Sequence, residues 1–385
     1  ERLSSIWQDI LGVDRVGAED EFLDLGGNSM KAIMLTWRVL KELELKLDIR
    51  EVFEMLTVRK LAGLIRDRNR QTLLPIYPIP DAEHYAVSNA QRRLWIIDRM
   101  DVNRAAYNIA SVTRLRGDLV QDTLERALSE LAARHQSLRT RFVEIDGEPH
   151  QVVDQVADRF FHYDDLSGAP DPAAEARERA IGETGREFDL SQAPLFRATL
   201  YRGASNDHFL VFNMHHIISD GWSLDIILDE LFELYRTFRA GGDPVLPPLR
   251  IQYRDYAQWQ NDRIAAEMDG EIRFWTECLG GEIPVLDLPA DAPRPAVQSF
   301  RGAIGHFDLS EDASSAIREL ARRHETSLFT VCTAAVKILL HRYTGSDDIV
   351  VGAPVAGRTH PDLKDQVGFF VNMLPLRDHL AASDP

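Results

Sequence analysis

Residues 214–223 have the sequence Met-His-His-Ile-Ile-Ser-Asp-Gly-Trp-Ser, which places two adjacent histidines between an apolar run and an amphipathic pattern. The apolar run at residues 209–212 predicts a buried strand, and the apolar spacing over residues 224–238 predicts a helix. A loop that connects a strand to a helix in this way often presents its side chains to a cleft. Because successive side chains of a strand point to opposite faces, we expect only one of His215 and His216 to face a cavity.

Taken alone, the histidine pair leaves two interpretations open. One is a catalytic site, and the other is a core histidine beside a surface residue, with Ser219 or Asp220 capping the next helix. A metal site is disfavoured because adjacent strand side chains diverge and no third histidine or cysteine stands at ligand spacing. We therefore assign no metal to His215 and His216.

The composition is that of a globular protein, and 385 residues are enough for two or three domains. The net charge of −17 argues against a nucleic-acid or anionic-membrane partner. Residues 1–70 carry 12 basic against 13 acidic side chains, so the negative excess lies after them and predicts a domain boundary near residue 70. Cys278 and Cys332 lack metal-site spacing and suggest a reducing cytoplasm. We find no signal peptide and no apolar run long enough to span a bilayer.

The first 70 residues have the periodicity of a small helical bundle. The apolar spacing predicts helices at residues 2–11, from Ser29 onwards, at 51–55 and after Thr57, which can cap the last one. Residues 71–84 contain three prolines and predict an extended linker that contributes little core.

From residue 85 the pattern alternates between strands and helices and predicts an α/β domain with two lobes, residues 85–250 and 251–385. In the first lobe we expect helices near 89–100, 120–135 and 173–185, and strands near 107–116, 139–146, 196–203 and 208–214. In the second lobe we expect a helix at 252–265, a strand at 303–309, helices at 311–324 and 327–343, a strand at 348–353 and an apolar segment at 366–376.

A second motif lies at residues 20–30, Asp-Glu-Phe-Leu-Asp-Leu-Gly-Gly-Asn-Ser-Met. Its two glycines allow a tight turn, and Ser29 then stands at a helix N-terminus, where the helix dipole and free N–H groups favour a phosphate group. This is a suitable place for an arm linked through a phosphodiester. The alternative is an ordinary Gly-Gly turn with a serine cap.

Four further motifs accompany the HHxxxDG motif at 215–221: residues 88–95 (SNAQRRLW), 134–142 (RHQSLRTRF), 253–259 (YRDYAQW) and 367–373 (VGFFVNM). On these five motifs, the chain from about residue 81 resembles the condensation domain of a nonribosomal peptide synthetase, with Gln136 where glutamate is usual, and residues 1–70 resemble a peptidyl carrier protein domain of the same enzymes. The resemblance implies a small four-helix carrier bundle followed by a two-lobed α/β domain of the chloramphenicol-acetyltransferase-like type. The family's last motifs are missing, so we expect an incomplete second lobe and a chain that continues beyond residue 385.

The resemblance also implies a cofactor and a reaction. Ser29 would carry a covalent 4′-phosphopantetheine arm, attached by a separate phosphopantetheinyl transferase. A donor thioester held on Ser29 would condense with the amine of an aminoacyl acceptor on a downstream carrier protein, and an adenylation domain is a further implied partner. His216 matches the catalytic histidine, and two roles stay open for it: a general base, or a group that holds the amine in line.

The other motif residues are expected to support His216. Asp220 is badly placed to abstract a substrate proton, and in the family this acid pairs with a distant arginine, for which Arg358 is our candidate. We expect His215 to pack inward and Gly221 to let the backbone approach the substrate, with its N–H as a candidate oxyanion donor. The aromatic side chains of the fourth motif are expected to pack between the lobes: Tyr253, Tyr256 and Trp259.

Related domains perform other reactions. Epimerisation domains usually follow a carrier with Gly-Gly-Asp-Ser, whereas residues 26–29 are Gly-Gly-Asn-Ser, and heterocyclisation domains carry aspartate in place of the histidines. We therefore expect condensation with a donor that ends in an L-residue or glycine. Two alternatives remain. The first is a non-catalytic recruitment domain on the same fold, and the intact His216 argues against it. The second is an acyltransferase that uses untethered thioesters, and the fused carrier domain argues against it.

Overall fold

The fold is given by a computed structural model, which describes residues 2–45, 47–66, 75–100, 104–155, 160–203, 206–244, 246–293, 295, 302–324 and 326–380. The chain divides into two units, one of residues 1–75, 275–353 and 375–385 and one of residues 76–274 and 354–374. The first unit contains the predicted carrier region, and the second contains both histidines.

The predicted carrier region is a bundle of short helices: α1 (Arg2–Leu11), α2 (Ser29–Leu43), α3 (Ile49–Glu54) and α4 (Val58–Arg66). Its core includes Trp7 and Phe22, whose rings meet edge to face with centroids 5.0 Å apart. Thr57 Oγ1 accepts a hydrogen bond from Lys60 N–H at 3.3 Å and caps α4, as its spacing predicts. Because Phe22 precedes the glycine turn, core packing holds the chain that leads to Ser29.

The second unit contains an α/β arrangement. Its elements in chain order are β1 (Tyr85–Ala86), α5 (Asn89–Arg99), β2 (Asn108–Arg116), α6 (Gln121–Arg134), β3 (Thr140–Ile145), β4 (Glu148–Val153), β5 (Phe161–Asp165), α7 (Pro172–Thr184), β6 (Phe196–Arg202), β7 (Asp207–His215), α8 (Gly221–Arg239) and α9 (Tyr253–Cys278), whose last four residues belong to the first unit. Strands β2, β7, β6 and β5 form one sheet in that order, and β1, β4 and β3 form another. The periodicity does not predict β4 and β5, because these short strands carry few apolar residues. It also ends α9 too early, because the residues after 265 are almost all exposed and bury no continuous apolar face.

Strand β7 ends at His215, directly before His216, and has a neighbour on each side. It pairs antiparallel with β2 and with β6. Leu210 and Phe212 are buried in one apolar cluster, whereas Val211 is buried in a second cluster that contains residues of α7. A strand covered on both faces must be apolar on both, which explains the continuous apolar run that ends near His215.

The remaining elements are α10 (Glu311–Arg323), α11 (Leu328–Thr344), β8 (Asp348–Val355) and β9 (Asn372–His379), and β8 pairs with β9. The prediction of a strand at residues 303–309 is wrong: these residues form no regular element, and Ile304 and Phe307 are each 84% exposed. Alternating apolar residues form a stable strand only where a neighbouring strand pairs with them, and none of the described residues supplies one. β9 begins inside the predicted apolar segment 366–376.

The second half of the predicted linker is part of the second unit. Ile76 is 0% exposed and lies in an apolar cluster, the tyrosine cluster, made up of Ile76, Ile251, Tyr253, Tyr256, Ala257, Leu363 and Phe370. Arg250 Nη1 donates to the Ile76 carbonyl oxygen at 2.7 Å. The prediction that residues 71–84 contribute little core is therefore wrong at Ile76. Burial of this branched side chain stabilises the fold by about 2 kcal/mol. The sequence does not reveal it, because a single apolar residue forms no periodic pattern. Residues 71–74 lie outside the described residues.

Candidate active site

His215 ends β7 and points into the core. Its side chain is buried, and Nδ1 accepts a hydrogen bond from Ile217 N–H at 3.1 Å. Burial, with a smaller contribution from neighbouring His216, lowers the pKa of His215 to about 4. His215 is therefore uncharged at neutral pH and carries its proton on Nε2, as suits a histidine that packs inward.

His216 opens a single 3₁₀ turn, His216–Ile218, and is only half-buried. Its Nδ1 lies 2.8 Å from the Ser219 carbonyl oxygen, which can only accept, so Nδ1 carries the proton and Nε2 keeps a lone pair. The imidazole packs against the Phe369 ring, with centroids 4.6 Å apart and planes inclined by 59°. Within the described part of the chain Nε2 has no hydrogen-bond partner, so its lone pair can accept a hydrogen bond or a proton from a substrate.

Asp220 is held in a buried ion pair. Its Oδ1 caps α8 by accepting from Ser223 N–H at 2.8 Å, and its Oδ2 accepts from Phe370 N–H at 3.1 Å. Arg358 Nη2 donates to Oδ1 at 3.1 Å, and both side chains are at most 1% exposed. The arginine that the resemblance pairs with Asp220 thus lies in contact with it, and the carboxylate is occupied by donors of the protein itself.

Residues 366–370, which include the start of the fifth motif, lie against residues 216–223, here called the histidine loop. Ser223 Oγ is within hydrogen-bond distance of Gly368 N (3.1 Å) and Gly368 O (2.9 Å), and Arg358 Nη1 donates to Gln366 O at 2.7 Å. A Cβ atom at Gly368 would lie 1.9 Å from the Tyr253 ring, so only glycine fits there. The sequence does not predict this contact, because Ser223 and Gly368 are 145 positions apart.

Two serines that the sequence interpretation left without a role lie at this site. Ser223 is fully buried and its Oγ lies 2.7 Å from Asp220 Oδ1. Ser88 caps α5 in a capping box with Gln91, and its Oγ lies 2.8 Å from Tyr253 Oη. The three-residue spacing of Ser88 and Gln91 is the sequence signal that could have drawn attention to Ser88.

Gly221 begins α8 beside open space. A Cβ atom added there would meet no atom within 4 Å. Its N–H belongs to the first turn of the helix, whose donors have no partner inside the helix and lie at its positive end. This geometry suits the predicted approach of a substrate to the backbone at Gly221.

Ser29 is the first residue of α2. Asn28 caps this helix by accepting from Lys31 N–H at 2.9 Å. The turn before the helix is fastened to the core, because Gly27 N–H donates to Phe22 O at 2.8 Å and a Cβ atom at Gly27 would lie 2.3 Å from that oxygen. The first N–H groups of α2 have no partner inside the helix, and this positive helix end suits a phosphodiester on Ser29.

No metal centre is formed by the residues that the structure describes: they contain no group of three or more His, Cys, Asp or Glu side chains that could hold a metal ion. Cys278 and Cys332 are free and exposed. Over the same described ranges, no helix has the length and apolar character needed to cross a membrane.

Comparison with known proteins assigns both parts of the chain. The phosphopantetheine attachment site family matches residues 1–65, and the condensation domain family matches residues 81–385. The chain belongs to the condensation domain family. Ahead of the condensation domain lies a carrier domain of the type that bears covalent 4′-phosphopantetheine on a serine.

The condensation domain and its carrier are similar to parts of very large synthetases. The chain is 40% identical over 384 residues to tyrocidine synthase 3 of Brevibacillus parabrevis, and 39% identical over 378 residues to gramicidin S synthase 2 of Brevibacillus brevis. These matches cover 99% and 98% of this chain. The chain spans only 6% and 8% of the length of these relatives.

Solved structures share the fold of the condensation domain. The X-domain from teicoplanin biosynthesis, in its complex with OxyB, has a TM-score of 0.72 and 26% identity, over 81% of this chain and 69% of that one. Holo-AB3403, a four-domain nonribosomal peptide synthetase bound to AMP and glycine, has a TM-score of 0.69 and 26% identity, over 79% of this chain and 23% of that one. The prediction of a carrier bundle followed by a two-lobed, chloramphenicol-acetyltransferase-like domain is confirmed.

Proposed function

We propose that this chain forms peptide bonds between carrier-bound substrates in nonribosomal peptide synthesis. The donor is a thioester held on Ser29, and the acceptor is the amine of an aminoacyl group on a downstream carrier protein. The observation that carries this proposal is the lone pair on His216 Nε2, which the bond between Nδ1 and Ser219 O leaves available. Similarity to the tyrocidine and gramicidin S synthases supports it.

Amide formation joins the amine nitrogen to the thioester carbonyl carbon and breaks the carbon–sulfur bond, and the proton that the amine gives up ends on the departing sulfur, which leaves as a thiol. A free α-amine has a pKa of about 8 and is partly unprotonated near neutrality, so a strong base is not required. His216 Nε2 accepts a hydrogen bond from the amine and thereby turns the nitrogen lone pair toward the carbonyl carbon. Both roles that the sequence leaves open, positioning and proton acceptance, use this one lone pair of His216.

The other residues of the site prepare this step. 4′-Phosphopantetheine on Ser29 supplies the thiol that holds the donor as a thioester. Gly221 N–H, at the positive end of α8, donates to the carbonyl oxygen as negative charge develops on it. His215, Asp220 and Arg358 keep the loop in shape and do not touch the substrate.

The proposed partners follow from the two-carrier reaction. They are the downstream aminoacyl carrier protein, an adenylation domain that activates the amino acid, and a phosphopantetheinyl transferase that modifies Ser29. The net charge of −17 supports the view that no nucleic acid or anionic membrane is a partner. The free cysteines support a place in the reducing cytoplasm.

The test is a single-turnover assay with a donor thioester loaded on Ser29 and an aminoacyl acceptor. His216→Ala removes the lone pair and should lower the rate of amide formation by about 10²- to 10⁴-fold. His306→Ala, at an exposed histidine outside the site, should keep the wild-type rate. Equal rates for wild type and His216→Ala would contradict the catalytic role, and pantetheinylation that persists in Ser29→Ala would contradict the carrier assignment.

A second candidate is a non-catalytic recruitment domain on the same fold. One observation favours it, namely the similarity to an X-domain that was solved in complex with OxyB. The assay on His216 separates the two functions, because a recruitment domain forms no amide even in the wild-type protein.

A further inference from the structure

Tyr253 occupies a buried chain of hydrogen bonds next to the histidine loop. Its hydroxyl donates to the Phe369 carbonyl oxygen at 2.5 Å, and Ser88 Oγ lies 2.8 Å from the same hydroxyl. Since Tyr253 has one hydroxyl proton and a carbonyl can only accept, the proton between the two hydroxyls comes from Ser88. Ser88 is held in turn at the start of α5, where its Oγ accepts from Gln91 N–H at 3.2 Å. The direction of every bond from α5 to Phe369 is therefore determined, and bonds in such a chain strengthen one another.

The series of hydrogen bonds ends at Phe369, which lies against His216, the candidate catalytic residue. The Phe369 ring packs against the His216 imidazole with centroids 4.6 Å apart. The next residue is also held, because Phe370 N–H donates to Asp220 at 3.1 Å. The backbone that carries the Phe369 ring is thus tied to α9 by Tyr253 and to the histidine loop by Asp220.

Packing leaves the Tyr253 ring little freedom. A Cβ atom at Gly368 would lie 1.9 Å from Tyr253 Cδ2, and the ring contacts those of Tyr256 and Phe370 at centroid separations of 5.4 and 5.0 Å. Removal of the hydroxyl alone keeps these contacts, so its effect can be separated from that of packing. Burial raises the pKa of Tyr253 well above its usual range, so the hydroxyl stays protonated and takes no part in acid–base steps.

We propose that Tyr253 is a positioning residue for amide formation: its hydroxyl fixes the Phe369 backbone, and the Phe369 ring fixes the orientation of the His216 imidazole. This inference rests on the proposed function of His216. A turn of the imidazole moves the Nε2 lone pair off the line to the amine, and a misplacement of about 1 Å costs up to about 10²-fold in rate.

The test measures kcat and the acceptor KM, with donor-loaded carrier, for Tyr253→Phe, Phe369→Leu and the double variant. We expect Tyr253→Phe to lower kcat about tenfold while the acceptor KM changes less than about twofold, because ground-state binding is untouched. The double variant should be no slower than Phe369→Leu alone, because the hydroxyl acts through the ring. A double variant slowed by the product of the two single effects would overturn the coupling, and an unchanged kcat in Tyr253→Phe would overturn the proposal.

Tyr256→Phe is the matched control. It removes a buried hydroxyl from the same tyrosine cluster, one that accepts from Gln260 Nε2 at 2.7 Å, and kcat should stay at the wild-type value. The NMR proton shifts of the His216 imidazole give a second readout, because they sense the ring current of Phe369. These shifts should move in Tyr253→Phe and not in Tyr256→Phe, and shifts that move in neither variant argue against the proposal.

Two further variants keep the proposal testable if Tyr253→Phe does not fold and separate it from the proposed function of His216. If Tyr253→Phe does not fold, 4-aminophenylalanine at position 253 keeps a donor for the carbonyl and should retain at least about half of the wild-type kcat; a tenfold loss there overturns the proposal. His216→Ala, measured in parallel, separates the two claims. A wild-type rate in His216→Ala contradicts the proposed function, whereas loss in His216→Ala with full rate in Tyr253→Phe contradicts only the inference on Tyr253.

Discussion

Two adjacent histidines have opposite proton arrangements because Nδ1 of each ring meets a different backbone group. In His215 it meets the Ile217 N–H and must accept, whereas in His216 it meets the Ser219 carbonyl and must donate. His215 is therefore a neutral core residue with its proton on Nε2, and His216 presents a lone pair at Nε2. A difference of one position along the chain thus separates a buried ring from one whose lone pair is open to a substrate.

The buried His215 ring predicts a loss of stability in acid. Its pKa is about 4 in the folded protein against 6.5 for an ordinary histidine, so between these pH values the unfolded chain binds more protons and the stability falls as the pH falls. His215→Gln keeps an acceptor for Ile217 N–H but does not titrate. When the pH falls from 6.5 to 4, we expect the unfolding free energy of wild type to fall by about 3 kcal/mol more than that of His215→Gln.

Urea unfolding at a series of pH values measures this difference. His306→Gln is the control, because that side chain is exposed, and it should follow the wild-type curve. A pH dependence of His215→Gln equal to that of wild type contradicts the buried, neutral state of His215.

At the scale of elements, strand β7 and helix α8 flank the histidine pair. The segment between β8 and β9, which is not regular, packs against the pair and completes the site. Strand β7 and helix α8 place His216 and Asp220 at a junction. Residues 356–371 lie between two strands and include no strand of their own, yet they supply Arg358 and the Phe369 ring. This segment depends on close backbone approach, which glycines permit.

Gly357 shows how tight this approach is. Its φ is +65°, and a Cβ atom there would lie 1.9 Å from the Phe370 carbonyl oxygen, whereas Gly147 has a φ of +82° with no atom within 4 Å. Alanine at either position carries the strain of the left-handed conformation, about 1–2 kcal/mol. Only Gly357→Ala adds an overlap with backbone, so we expect it to lower the unfolding free energy by at least about 2 kcal/mol more than Gly147→Ala does. Parallel urea unfolding of the two variants checks this, and equal costs contradict the packing of residue 357 on Phe370.

At the scale of the whole molecule, the second unit begins inside the predicted linker, at Ile76 rather than after residue 84. Ile76 is buried in the tyrosine cluster and its carbonyl oxygen accepts from Arg250, so the predicted linker is anchored to the second unit from Ile76 onwards.

Removal of the Ile76 side chain tests this attachment. Ile76→Ala should lower the unfolding free energy of the second unit by about 2–4 kcal/mol, because it leaves a cavity among packed apolar side chains. Tyr77→Ala, at a neighbouring side chain that is 71% exposed, should stay within about 0.5 kcal/mol of wild type. Urea unfolding measures both, and a cost for Ile76→Ala as small as that of Tyr77→Ala contradicts the anchored linker.

Patterns of short range predicted most of the fold. Helix α2 begins at Ser29 and α8 directly after Asp220, as the local patterns predict, although the cap of α2 is Asn28 and not the serine. The strand at 303–309 is wrong because pairing depends on a neighbour that an alternating pattern cannot specify. Ile76 was assigned to a linker because one apolar residue among prolines carries no period.

The sequence by itself determined the order of the motifs, the carrier turn before Ser29 and the position of the histidine pair, since each depends on residues close together in the chain. The tertiary structure alone decided that the His216 proton lies on Nδ1, that Gly368 and Phe370 hold the histidine loop, and that the Tyr253 hydroxyl ends at the Phe369 carbonyl. The last of these contacts joins residues 116 positions apart. Such contacts form only when packing brings distant segments together, and no local spacing encodes which donor then meets which acceptor.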